Sequence, residues 1–139
     1  MKKYIFVVSL LCLLAACTGK RQGEAAAEVA ALPAVEDVVM YQVNPRVFAP
    51  EKSFKAVERR LDSIQTLGIN VVWFMPINEV GQEKSVNSPY CVKDYKGVNP
   101  EFGTLDEFKA LVATCHQKGM NVIIDWVANH TSWDNAWIA

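Results

Sequence analysis

An α/β fold built on a parallel sheet is the class this sequence predicts, and three observations predict it. Two strand–helix units repeat at a constant offset: Ser53 to Thr104, Gly68 to Gly119 and Asn70 to Asn121 are each 51 residues apart. Each unit contributes an apolar, β-branched stretch, Val71-Val72-Trp73-Phe74 or Val122-Ile123-Ile124, of the kind that suits a strand buried on both faces. The later stretch runs straight into Asp125, Asn129 and His130. Polar groups crowded at the end of a buried strand are costly unless they face a cleft or find partners. Alternating strands and helices imply parallel strands joined by right-handed crossovers. Periodicity leaves two architectures, an open doubly wound sheet and a (β/α)8 barrel, and both build their sites at such strand ends.

The first third of the chain is not domain material. Residues 1–16 carry Lys2 and Lys3, an apolar run from Ile5 to Leu14, then Ala15 and Ala16, in the order of a secretory signal peptide. The apolar run falls short of the roughly 20 residues a spanning helix needs. Leu14-Ala15-Ala16-Cys17 resembles the bacterial lipobox, which implies lipidation of Cys17 and an exported, lipid-anchored protein of the cell envelope. Residues 17–36, rich in Ala, Glu and Gly and lacking an apolar stripe, read as a tether. Without Lys2 and Lys3 the 14 basic residues fall to 12 against 15 acidic, a net charge near −3. No stretch clusters Lys and Arg with aromatics, which argues against nucleic acid as a partner. Cys91 and Cys115 read as separate thiols rather than a disulfide.

From residue 37 the elements follow in order. DVVMYQV (37–43) predicts a strand closed by Asn44-Pro45. Ser53 is placed to cap a helix whose apolar stripe is Phe54, Val57, Leu61, Ile64 and Leu67, ending at Gly68. NVVWFMP (70–76) is the second strand. Residues 77–103 read as one long polar connection, far beyond the usual two to six of a βα loop, and long βα loops carry function. Thr104, with Glu107 three residues on, predicts a capping box, and Phe108, Leu111, Val112 and Cys115 stripe the helix up to Lys118-Gly119. NVII then opens the third strand. No glycine-rich phosphate loop follows the first strand, which weighs against a dinucleotide fold.

At this point the residues resemble the alpha-amylase family of glycoside hydrolases. Asp125-Trp-Val-Ala-Asn129-His130 resembles that family's first signature region. Tyr90-Cys-Val-Lys-Asp94-Tyr95 with Asn99-Pro-Glu-Phe-Gly103-Thr104 resembles the stretch before it, and 71–77 and 38–48 resemble the second and first barrel strands. The resemblance implies that residues 37–139 are the N-terminal portion of a (β/α)8 barrel, about three strands and two helices. It implies a retaining enzyme acting on alpha-glucans such as starch or maltooligosaccharides. Tyr90 is similar to the tyrosine that stacks on the sugar at the scissile bond, and His130 to the histidine that binds its hydroxymethyl group. Asp125 is similar to an aspartate that orients its neighbours, and Asn129 to an asparagine that lends its oxygen to calcium. Asp94 reads as a second structural carboxylate. The resemblance places the nucleophile and general acid on later strands, beyond Ala139, so no carboxylate in 1–139 takes either role. The chain's end at Ala139, nine residues after His130, reads as the front portion of a larger protein.

Plainer roles stand beside these. Tyr90 could be a loop tyrosine, His130 could satisfy loop backbone, Trp126, Trp133 and Trp137 could be packing, and His116 reads as surface. A non-catalytic glycan-binding lipoprotein with the same barrel, or an alpha-glucan transglycosylase or branching enzyme, would carry the same segments. The family often has an acidic residue before the Arg-Phe of its first loop, where this chain reads Asn44-Pro-Arg46-Val-Phe48. Cys91 and Lys93 fall where members vary, which bears on substrate preference.

Overall fold

The computed structural model describes residues 31–138; the leader, Cys17, most of the tether and Ala139 lie outside them. Strands β1 (Met40–Val43), β2 (Val71–Phe74) and β5 (Asn121–Ile124) form one sheet in the order β1-β2-β5. Both pairings are parallel, with Trp73 opposite Gln42 on one side and Ile123 on the other. Side chains alternate across a strand, so Tyr41, Val43, Val72, Phe74 and Val122 share one face. That face packs against the helices in a core with Phe54, Val57, Leu61, Ile64, Phe108, Leu111 and Cys115. Three phenylalanines meet at its centre, Phe108 lying 5.0 Å from Phe54 and 5.5 Å from Phe74 between ring centroids. Met40, Gln42, Val71, Trp73, Asn121 and Ile123 form the opposite face.

The helix of the first unit departs from expectation. It is two pieces, α2 (Ser53–Glu58) and α3 (Leu61–Gln65), following a one-turn helix α1 (Pro45–Phe48). At the break, the Arg60 N–H donates to the Val57 carbonyl at 2.8 Å, a tighter i→i+3 bond. The stripe survives the break as far as Ile64, but Leu67 is exposed. Ser53 does not cap. Its buried hydroxyl donates to the Pro45 carbonyl at 2.6 Å, and the left-handed Lys52 occupies the N-cap position. The Phe54 N–H is satisfied instead by the Phe102 carbonyl at 3.0 Å, so residues from the long connection close this helix end.

The second unit follows the sequence closely. Helix α4 (Leu105–Gln117) begins with the capping box: Thr104 Oγ1 accepts from the Glu107 N–H at 3.1 Å, and Glu107 accepts from the Thr104 N–H at 2.8 Å. Gly68 and Gly119 both take positive φ, +80° and +75°, where each helix turns into its strand. His116 is half-buried on α4 rather than wholly at the surface. The connection 77–103 is not plain loop, since β3 (Glu79–Val80) and β4 (Val92–Asp94) pair antiparallel within it. Val80 and Val92 are buried, so this hairpin carries a small core of its own. No described helix is long and apolar enough to cross a membrane.

Candidate active site

Strand β5 delivers Asp125 one residue past its end, and the ladder still holds it: the Asp125 N–H donates to the Phe74 carbonyl at 2.9 Å. Alternation returns its side chain to the face of Trp73 and Ile123, away from the helices. There both carboxylate oxygens accept a bond. Trp73 Nε1 donates to Oδ1 at 2.6 Å, and the Tyr90 hydroxyl donates to Oδ2 at 3.0 Å. A carboxylate with a donor on each oxygen is suited to orienting its neighbours rather than to attacking a carbon. The same bond raises the Tyr90 phenol above its ordinary value of 10, because ionising it would give up the proton it donates to Asp125; partial burial adds to the rise, and so does the neighbouring negative charge. At neutral pH the phenol therefore remains a donor.

Tyr90 comes from the connection before β4 and keeps 38% of its surface exposed. Its ring is tied at the hydroxyl end while much of its surface stays open. An aromatic face of this kind suits the C–H side of a pyranose. Tyr90 and Asp125, 35 residues apart in sequence, are thus brought together.

Asn129 and His130 lie on the loop that follows and are paired with each other rather than with that cluster. Asn129 Nδ2 sits 3.2 Å from His130 Nδ1. An amide N–H can only donate, so Nδ1 accepts in this arrangement and Nε2 carries the proton, leaving a free donor on an exposed imidazole. The loop is shaped by a residue given no role in the sequence reading. The Tyr95 hydroxyl lies 2.6 Å from the His130 carbonyl and 2.9 Å from that of Val127, its one proton serving both. Tyr95 is itself held against the Trp137 ring, stacked at 5.2 Å with planes 6° apart.

Asp94 shares no hydrogen bond with Asp125 among the described residues. Its Oδ1 accepts from the Lys96 N–H at 2.8 Å, closing its own turn. Two of the tryptophans pack on Tyr95, Trp137 stacked and Trp126 tilted at 6.0 Å, yet all three stay open to solvent: Trp126 is 78% exposed, Trp137 68% and Trp133 56%. Lys84 Nζ lies 3.8 Å over the Trp133 ring. An open cleft of about 280 Å³ runs beside Asp125, lined by Ile77, Asn78, Tyr95, Phe108 and Trp126 among others.

Among the described residues no three His, Cys, Asp or Glu side chains form a group that could hold a metal. Asn129 could lend one carbonyl oxygen, whereas calcium takes six to eight. Cys91 and Cys115 are separate thiols, and burial pushes Cys115 up to about 12. The expected position of the nucleophile and general acid, beyond Ala139, falls outside the described residues, of which Ile138 is the last.

Comparison with known proteins gives the family. The family model described as alpha amylase, catalytic domain, matches residues 51–139. An oligo-1,6-glucosidase of Halalkalibacterium halodurans is 34% identical over 107 residues, 73% of this chain and 18% of its own length. The human amino acid transporter heavy chain SLC3A1 is 37% identical over 103 residues, 70% of this chain and 15% of its own. The crystal structure of an alpha-amylase from Lactobacillus plantarum superposes with a TM-score of 0.68 at 41% identity, covering 72% of this chain and 25% of that one. A noncanonic maltogenic alpha-amylase, AmyB, from Thermotoga neapolitana gives 0.69 at 34%, covering 73% and 25%. The chain spans less than a quarter of the length of the curated relatives it matches.

Proposed function

The chain belongs to the alpha-amylase family, and from that membership we propose that the intact protein is a retaining glycoside hydrolase of alpha-glucans whose sugar subsite is partly built by these residues. The observation that carries the reading is the Trp73–Asp125–Tyr90 cluster, a doubly held carboxylate presenting an exposed aromatic ring at the C-terminal end of a parallel strand. Tyr90 stacks on the sugar beside the scissile bond, Asp125 fixes the ring, and the Nε2–H of His130 donates to a sugar hydroxyl. A retaining mechanism also needs two carboxyl groups about 5–5.5 Å apart. None of the carboxylates of residues 1–139 is given either role.

Asn129 enters only as one oxygen ligand of a calcium ion, and no chemical step runs through it. The lipobox-like Leu14-Ala15-Ala16-Cys17 supports an exported protein anchored through Cys17 to an envelope membrane. Replacing Cys17 by Ser should release it to a soluble exported pool; wild-type protein that is soluble and retains Met1 would refute the anchor.

One observation favours a second reading. A relative named as an amino acid transporter heavy chain is 37% identical over 103 residues, against 34% over 107 for an oligo-1,6-glucosidase. The relatives thus include a protein not named as a hydrolase, and a non-catalytic glycan-binding lipoprotein with the same barrel is the competing function. Incubating the intact protein with maltooligosaccharides and following reducing ends separates the two. Hydrolysis abolished by Tyr90→Ala supports the enzyme; saturable binding without turnover supports the rival.

A further inference from the structure

We propose that Trp73 is a positioning residue of this site: its indole N–H sets the rotamer of Asp125 and, through it, the orientation of Tyr90. The inference rests on the reading of this strand end as a sugar subsite. Trp73 and Asp125 come from neighbouring strands and share one face of the sheet. Trp73 stands opposite Ile123, and Asp125 is the next residue of β5's course to return to that face. The Nε1–Oδ1 separation of 2.6 Å is at the short end for N–H···O bonds, as expected when the acceptor is charged.

The two donors on Asp125 differ in rigidity. Tyr90 sits on an exposed connection between β3 and β4, whereas the Trp73 indole is half-buried on a strand paired on both sides. Indole has one N–H and no acceptor, so its bond can be made in one sense only. The terminal torsion of a carboxylate is broad and roughly two-fold. With Trp73 removed, Asp125 would be left to follow its loop partner instead of fixing it. Order therefore passes from strand β2 through the indole to the carboxylate and on to the loop phenol. An aromatic platform held this way meets the sugar pre-oriented.

Trp73→Phe tests this in the intact protein, because it removes the N–H and keeps a ring on the strand. Turnover of maltooligosaccharides should lose about tenfold in kcat/KM, the scale of one hydrogen bond to a charged group. Asp125→Ala, which leaves the indole no acceptor, should lose more, and adding Trp73→Phe to Asp125→Ala should change the rate less than about twofold, since coupled residues are non-additive. Losses that simply multiply would overturn the proposal and leave Trp73 a packing residue. A second measurement needs no turnover: hydrogen exchange of the Trp73 indole N–H, read by NMR, should be about tenfold faster in Asp125→Ala, which removes its acceptor, than in wild type. Unchanged exchange also overturns it, even if Trp73→Phe fails to fold. A protein that does not hydrolyse glucans would count against the proposed enzyme, while the exchange result would still decide the role of Trp73.

Discussion

Tyr90 and Asp125 make a pair whose behaviour can be followed through a single proton. The phenol's raised pKa means the folded site holds that proton more tightly than an unfolded chain would. The bond's contribution is therefore complete below the ordinary phenol pKa of about 10 and is lost as pH rises through the higher folded value. Asp125→Asn removes the charge that opposes ionisation. The tyrosinate absorbance that Tyr90→Phe eliminates should then appear at lower pH in Asp125→Asn than in wild type. The same absorbance at unchanged pH would mean the bond does not form in solution. Cys115 offers a second residue-level test. Fully buried and raised to about 12, it stays a thiol at neutral pH, while half-buried Cys91 is reachable. Iodoacetamide should modify Cys91 in the native protein and reach Cys115 only after unfolding.

Elements with a strong local signal were legible in the sequence; those made by distant contacts were not. Thr104 and Glu107 announce their capping box because both partners sit within one turn. Thr104→Ala should accordingly cost about 1 kcal/mol, read as a lower denaturant midpoint. Gly119 announces its turn as well. No atom crowds a Cβ there, yet φ is +75°, so Gly119→Ala should destabilise by roughly 1 kcal/mol through backbone strain alone. Ser53 misled because its local pattern fits a cap, while its hydroxyl is claimed by Pro45 and the helix end is closed by Phe102. The hairpin of β3 and β4 was illegible for a similar reason. Its strands are two and three residues long, and only Val80 and Val92 point inward. Within the site, the chemistry of Asp125, Asn129 and His130 stood out as residue types. Trp73 did not, although register and alternation together place it on the face of Asp125, and that combination was the signal available.

At the scale of the molecule, the three-stranded sheet sets the terms. Both β1 and β5 are edges within the described structure, and parallel sheets are stable when covered on both faces. The helices cover one face only. On the other, Met40 is 52% exposed and Ile123 43%. Apolar area left in water forgoes about 25 cal/mol per Å² of stabilisation, and unpaired edge N–H and C=O groups invite pairing with another chain. A polypeptide of residues 31–139 alone should therefore associate rather than remain a cooperative monomer. Sedimentation at rising concentration should show growing species, and urea unfolding should be broad and concentration-dependent. Charged substitutions on the open face, Ile123→Lys above all, should reduce the association without disturbing the helix-side core, because Ile123 lies opposite the phenylalanine cluster. A monodisperse polypeptide with a sharp, concentration-independent transition would mean that this sheet is self-sufficient and that its second face needs no cover.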